Sequence, residues 1–182
     1  MNLANKLTLV RIILVPVFMF VLLVKILPYG EFIAAGIFIL AAITDGLDGY
    51  IARKHNQVTK LGKLMDPLAD KLLVTAALVS LVEMGLLKSW VAFIIIGREF
   101  LVTGIRAVAA AEGIVISASK LGKYKTVAQI IAIVATMIKN FPFEMINFPF
   151  QSIAMIVAVF FTIVSGVDYF MKASPLIKAS MK

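Results

Sequence analysis

Long apolar stretches follow one another along the chain, separated by short polar intervals. Six predominantly apolar windows run over 8–27, 31–52, 66–87, 90–111, 121–139 and 148–171. Each is close to the roughly 20 residues a helix needs to cross about 30 Å of hydrocarbon. The intervals "PYGE" (Pro28 to Glu31), "KHNQVTK" (Lys54 to Lys60), "GLLKS" (Gly85 to Ser89), "EGIVISASK" (Glu112 to Lys120) and "NFPFEMINFP" (Asn140 to Pro149) carry the Gly, Pro and Asn expected of turns. The pattern predicts an all-α integral membrane protein, a six-transmembrane-helix bundle forming one domain over 1–182, with no internal repeat and no low-complexity tract. The aromatics of "NFPFEMINFPF" suit an outer loop, a shallow interfacial segment or contact with a partner subunit.

Composition strengthens this picture. The chain is 62% hydrophobic and 15% charged, with a mean hydropathy of +1.02, far from a soluble composition. The N-terminal apolar run exceeds a secretory h-region of about 7 to 15 residues and lacks a small-residue cleavage site, so it is expected to remain as a span. There is no cysteine, which removes disulfides and thiolate chemistry. A net charge of +8 suits nucleic acid or anionic lipid, and its distribution decides for the membrane and against nucleic acid. With six spans and both ends on one side, that side collects every Lys and Arg except Lys25, Lys88 and Lys139. Both termini are therefore expected in the cytosol.

Against this background, Asp45, Asp48, Asp66 and Asp70 fall within 26 residues. The purely apolar part of the second window, 32–43, is only 12 residues, so its helix must continue through Asp45 and Asp48. Counted from Glu31 at about 1.5 Å per residue, Asp45 lies roughly 21 Å inward, in the cytosolic third of the bilayer. Asp45 and Asp48 are spaced i,i+3 and Asp66 and Asp70 i,i+4, so each pair shares a helical face and the hairpin between them can join the pairs. Four clustered carboxylates would be driven to protonation unless positive charge is present. Their all-oxygen chemistry points to one or two divalent ions, Mg²⁺ or Mn²⁺. The single histidine, His55, argues against histidine-ligated zinc or iron. Gly46, Gly49, Ala52 and Gly62 leave room either for close helix packing or for a ligand. Arg53 is either an interfacial anchor or a fork onto phosphate.

The spacing Asp45-x2-Asp48-Gly49-x2-Ala52-Arg53-x8-Gly62-x3-Asp66-x3-Asp70 resembles the complete signature of the CDP-alcohol phosphatidyltransferases. That resemblance implies six transmembrane helices, a homodimer and a divalent-metal site for the CDP diphosphate. It also implies Asp45, Asp48 and Asp66 as metal ligands, Asp70 as both ligand and general base, and Gly49, Ala52, Arg53 and Gly62 around the nucleotide.

Residues elsewhere bear on the acceptor. "GREFLVTGIRAVAA" sets Arg98, Glu99 and Arg106 inside an apolar window, where charge is a functional hypothesis by default; an internal ion pair with Glu99 or Asp168 is the alternative. Lys120, Lys123 and Lys125 open the fifth window, as surface anchors beside anionic headgroups or as an anion site near a helix N-terminus. Together, Arg98, Arg106, Lys120, Lys123 and Lys125 suit an acceptor bearing phosphate. "NKLTLVRI", "GREF" and the set Lys120, Gly122, Lys123, Lys125, Thr126 and Gln129 resemble the bacterial branch of the family that makes phosphatidylglycerophosphate. The resemblance implies CDP-diacylglycerol as donor, glycerol 3-phosphate as acceptor, and a cell-membrane site facing the cytoplasm among membrane lipids. Phosphatidylglycerol, inositol phosphate and serine are the rival acceptors. Asn5, Thr8 and Arg11 share a helical face and either cap and anchor the first helix or, through Asn5 and Thr8, reach the cytosine. An ion-coupled transporter would show inverted repeats and a midplane site, and neither is present in the pattern. A divalent-cation-binding protein without catalysis is the remaining alternative.

Overall fold

The chain turns where its apolar windows are interrupted. A computed structural model describes the backbone of residues 3–24, 27–54, 60–114 and 119–180, and the side chains of 8–24, 27–44, 65, 68–114 and 119–174. Six α-helices lie within these residues: α1 (Leu3–Leu23), α2 (Gly30–Lys54), α3 (Lys60–Glu83), α4 (Ser89–Ala111), α5 (Lys120–Met137) and α6 (Phe150–Ser180). One 3-10 turn, Phe143–Ile146, sits between α5 and α6, and the described residues contain no strand. The all-α expectation is met. Several helices outrun their apolar windows: α1 begins at Leu3, α3 at Lys60, and α6 ends at Ser180. Hydropathy marks only the part of a helix suited to an apolar solvent, whereas backbone hydrogen bonding continues through the polar turns beyond it.

Local chemistry accounts for the ends. Gly85, at φ +72°, takes the left-handed conformation after α3, and the Leu86 N–H reaches back to the Leu81 carbonyl while Gly85 donates to Val82. Gly113, at φ +76°, closes α4 in the same manner, with Ile114 donating to Ala109 and Gly113 to Ala110. Both are Schellman closures, which glycine adopts without Cβ strain. The N-terminus of α5 is capped by the Ser119 hydroxyl, which accepts from the Gly122 N–H at 3.1 Å.

Packing brings α1 against α2 and α3, joins α5 closely to α6, and sets α4 against α6, with α2, α3 and α5 meeting between them. The shared core is rich in alanine: Ala34, Ala35 and Ala41 of α2, Ala76 and Ala77 of α3, Ala132 of α5 and Ala158 of α6 are all buried. Small residues let helices approach until backbone and side-chain atoms are in van der Waals contact. Phe18 and Phe38 are buried between α1 and α2, their ring centroids 5.9 Å apart. At the opposite end of α2 from its aspartates, Lys139 pairs with Glu31 at 2.6 Å. Asn140 there donates to the Phe148 carbonyl and accepts from the Gln151 N–H. The "NFPFEMINFPF" interval is thus a folded connection, with Phe143 stacked on Phe150 at 4.5 Å.

Large apolar side chains cover the outside of the bundle as well as filling its core, and several polar side chains are buried. Phe20, Leu40, Phe93, Leu101, Phe160 and Phe170 are exposed, while Thr8, Arg11, Ser80, Lys125, Gln129, Thr162 and Ser165 are buried. Among the described residues one segment, Phe150–Ser174, is long and apolar enough to cross a membrane by length and composition, and Thr8–Leu23 and Gly30–Thr44 are shorter apolar stretches. The charged residues inside α3, α4 and α5 keep those helices from meeting the same criterion, although each forms a full-length helix of the bundle.

Because Ala158 is fully buried and Phe160 is exposed, substitution at the two positions has opposite consequences. Ala158→Leu is expected to overpack the bundle at a cost of about 1–3 kcal/mol. Phe160→Leu is expected to change stability by less than about 0.5 kcal/mol. Thermal midpoints in detergent check both.

Candidate functional site

Asp70 stands three turns into α3 and half-buried, facing a cavity of about 80 Å³. Phe38 and Ala42 of α2, Lys71 and Val74 of α3, Glu99 of α4, and Lys125 and Gln129 of α5 share its walls. Each helix contributes a turn of suitable spacing: Lys125 and Gln129 lie i,i+4 on α5, as do Phe38 and Ala42 on α2, and such pairs present to one side of a helix. A carboxylate and an ammonium from different helices thus face one small space inside a largely apolar bundle.

Glu99 connects the charges. Its Oε1 accepts from Arg98 Nη1 at 3.1 Å and from the Lys125 ammonium. Arg98 is held on its other side by α6, where Nη2 donates to Ser165 Oγ at 3.0 Å and the guanidinium lies 5.4 Å from the Tyr169 ring centroid. Gly166 leaves that space open, since a Cβ there would come within 3.2 Å of Arg98 Cγ. The Tyr169 hydroxyl accepts from the Ser119 N–H at 3.1 Å, tying α6 to the residue that caps α5. Deeper in the bundle, Gln129 donates to Thr162 at 2.9 Å. Polar groups in a low-dielectric interior are costly unless paired, and these contacts meet that requirement across α4, α5 and α6. Arg98 Nε has no hydrogen-bond partner among the described residues.

The residues expected from the sequence divide into three sets. Asp45, Asp48, Gly49, Ala52 and Arg53 belong to the last turns of α2, and Gly62 and Asp66 to the first turns of α3. Their side chains, like that of Asn5, lie outside the described residues. Asp70, Lys125 and Glu99 are brought to one cavity, and Arg98 joins them through Glu99. Arg106, Lys120 and Lys123 are exposed. The alternative of an internal ion pair at Arg98 is observed, with Glu99 as the partner; Asp168 pairs instead with Lys172 at 2.8 Å.

Thr8 and Arg11 are buried, and Arg11 Nε donates to the Ala41 carbonyl at 3.2 Å. Thr8 lies in the second turn of α1, beyond the capping positions. Arg11, on the same helical face, meets α2 at Ala41, one turn before Asp45 in sequence. Thr44, adjacent to Asp45, bonds back to the same Ala41 carbonyl at 2.8 Å.

Three residues of the polar contact network escaped sequence reasoning: Thr162, Ser165 and Tyr169. They lie at i, i+3 and i+7 in the last apolar window, a polar stripe at helical spacing. The stripe marks the face of α6 that meets α4 and α5, and its spacing was visible in the sequence.

The chain matches the family described as CDP-alcohol phosphatidyltransferase over residues 1–164. It is 50% identical, over 190 aligned positions covering 98% of each chain, to the CDP-diacylglycerol--glycerol-3-phosphate 3-phosphatidyltransferase of Bacillus subtilis (strain 168). A protein of the same name from Rickettsia bellii (strain RML369-C) is 37% identical over 93% of each chain. With nearly the whole bundle inside the match and relatives aligned end to end, the chain belongs to the CDP-alcohol phosphatidyltransferase family.

Proposed function

We propose that this phosphatidyltransferase moves the phosphatidyl group of CDP-diacylglycerol onto glycerol 3-phosphate, giving phosphatidylglycerophosphate and CMP. The observation that carries the reading is the single cavity in which Asp70, the last acid of the family signature, faces Lys125. A hydroxyl to be activated and a phosphate on the same small acceptor need a carboxylate and a cation within a few bond lengths of each other. The relatives aligned along the full chain carry the name of this reaction.

Asp70 takes the proton of the acceptor hydroxyl, from within hydrogen-bond reach or through one water. The freed oxygen attacks the phosphorus that bears diacylglycerol; a new P–O bond forms as the bond to CMP breaks. Lys125 holds the acceptor phosphate, with Lys120, Lys123 and Arg106 at the rim and Arg98 behind Glu99. Asn5, Thr8, Gly49, Ala52, Arg53 and Gly62 surround the nucleotide, and the burial of Thr8 and Arg11 beside α2 supports a polar wall there.

The oxygen donors fit a hard divalent ion: α2 carries Asp45 and Asp48 one turn apart, α3 carries Asp66 and Asp70 one turn apart, and the two helices pack together. These four would hold one or two Mg²⁺ or Mn²⁺, which when bound supply charge neutralisation at the diphosphate and at leaving CMP.

The same reading makes the protein multi-pass, with six spans, both termini and the site on the cytoplasmic side, and a homodimeric assembly. The apolar exterior, together with charged and polar side chains held inside, supports lipid as the solvent. The distribution of Lys and Arg supports the orientation. In that setting the acyl chains stay in lipid while CMP and the acceptor exchange with water.

Purified protein given CDP-diacylglycerol and Mg²⁺ is expected to release CMP with glycerol 3-phosphate; release with phosphatidylglycerol, inositol phosphate or serine instead would refute the acceptor. Asp70→Asn is expected to lower kcat by about 10²–10⁴-fold, read as CMP formed per enzyme with nucleotide binding measured in parallel. Chelation of divalent ions is expected to abolish turnover, with Mg²⁺ or Mn²⁺ restoring it, and full activity in excess chelator would remove the metal from the reading.

A further inference from the structure

Two cations converge on one oxygen of Glu99, and they are not equivalent. Arg98 is already engaged: Ser165 accepts from its Nη2, the Tyr169 ring lies beneath its guanidinium, and Gly166 fits against its aliphatic stem. Arg98 does not line the cavity that contains Asp70. Lys125 does, and Glu99 is the acceptor of its ammonium. The contacts therefore run in one direction, from α6 through Arg98 to Glu99, and from Glu99 to the cation that faces the reacting carboxylate.

We propose that Glu99 is a positioning residue for acceptor binding, fixed by Arg98 and α6 so that it aims the Lys125 ammonium at the phosphate of a phosphomonoester. This rests on the acceptor reading given above and deepens it. Lysine has a flexible four-carbon stem and a strongly hydrated head. At 7% exposure the Lys125 side chain is in a place that an unpaired ammonium would leave for water. The Glu99 carboxylate supplies the counter-charge that keeps it there, and Arg98 keeps the carboxylate from following the lysine.

Charge balance explains why a phosphate is favoured over a neutral alcohol. Counting the charged side chains that line the cavity with Arg98 behind them, Lys71, Lys125 and Arg98 against Asp70 and Glu99 leave one positive charge, so the cluster remains short of an anion with Glu99 fully engaged. A phosphomonoester meets that deficit beside Asp70, whereas a neutral alcohol leaves it unmet. Arg98 is thereby a support for Glu99 and no direct ligand of the phosphate.

Two measurements on the full chain in detergent test the assignment: steady-state kinetics with both substrates varied, and calorimetric binding of inorganic phosphate, which needs no turnover. Glu99→Gln is expected to raise the KM for glycerol 3-phosphate and the Kd for phosphate together by about tenfold or more, the scale of one lost charge-assisted contact. Its kcat and its KM for CDP-diacylglycerol should stay within about twofold. Glu99→Asp is expected to recover part of the loss. Should Glu99→Gln not fold, Ser165→Ala loosens Arg98 without touching the cavity, and the same paired rise of about threefold is expected.

An unchanged phosphate Kd in folded Glu99→Gln, or in Ser165→Ala where that variant is used, would overturn the proposal. A fall in kcat with both KM values disturbed equally would do the same, because it marks general structural damage. If the wild-type protein binds phosphate yet releases no CMP with glycerol 3-phosphate, the reaction assigned above fails while the Kd ratio still decides the role of Glu99. If the wild-type protein does not bind phosphate at all, the positioning role is overturned, and CMP release in the acceptor assays still stands on its own.

Discussion

A single carboxylate oxygen carrying two cations organises the meeting of α4, α5 and α6. Glu99 takes Arg98 from its own helix and Lys125 from α5, and through Arg98 the arrangement reaches Ser165 and Tyr169 of α6. In a low-dielectric interior none of these charges is tolerable without the others. Their mutual dependence fixes how α4, α5 and α6 meet. The Tyr169 hydroxyl then secures the capped start of α5, where the exposed lysines lie. Electrostatic necessity and helix packing thus specify the same geometry.

The remainder of the bundle follows a complementary rule. Seams built from alanine permit α1, α2, α3 and α5 to come close, and many large apolar side chains point outward. With lipid as solvent, outward leucine and phenylalanine bring no penalty, so the interior is released for polar chemistry. That is how a chain 62% hydrophobic by composition accommodates a buried arginine, lysine and glutamine. The buried Arg11 on α1 shows the same economy beside α2, where its guanidinium meets the Ala41 carbonyl close to Asp45 in sequence.

Reading the chain by its apolar windows located the six helices of the described residues, because long apolar runs broken by Gly, Pro and Asn leave few alternatives to a helical bundle. Helix ends were displaced where polar turns continue a helix beyond the apolar part, as at Lys60 and Ser180. The acid signature was legible because its chemistry is local: two pairs at one-turn spacing on neighbouring helices. The basic set was legible only as a collection. Arg98, Arg106, Lys120, Lys123 and Lys125 looked alike in the sequence, yet two are drawn inside by Glu99 and three are exposed. The polar row of Thr162, Ser165 and Tyr169 carried a periodic signal that gains meaning only when α6 is seen against α4.

The amino-acid order by itself determined that the protein is helical, that its preferred solvent is apolar, and that two aspartate pairs share helical faces, since each follows from periodicity and composition within a helix or a hairpin. Only the tertiary structure decided which cation faces the cavity, which one is spent on holding Glu99, and which helix supports them. Those choices join residues such as Arg98 and Ser165, 67 positions apart. Pairings at that separation are set by how whole helices pack, a property that no local spacing encodes.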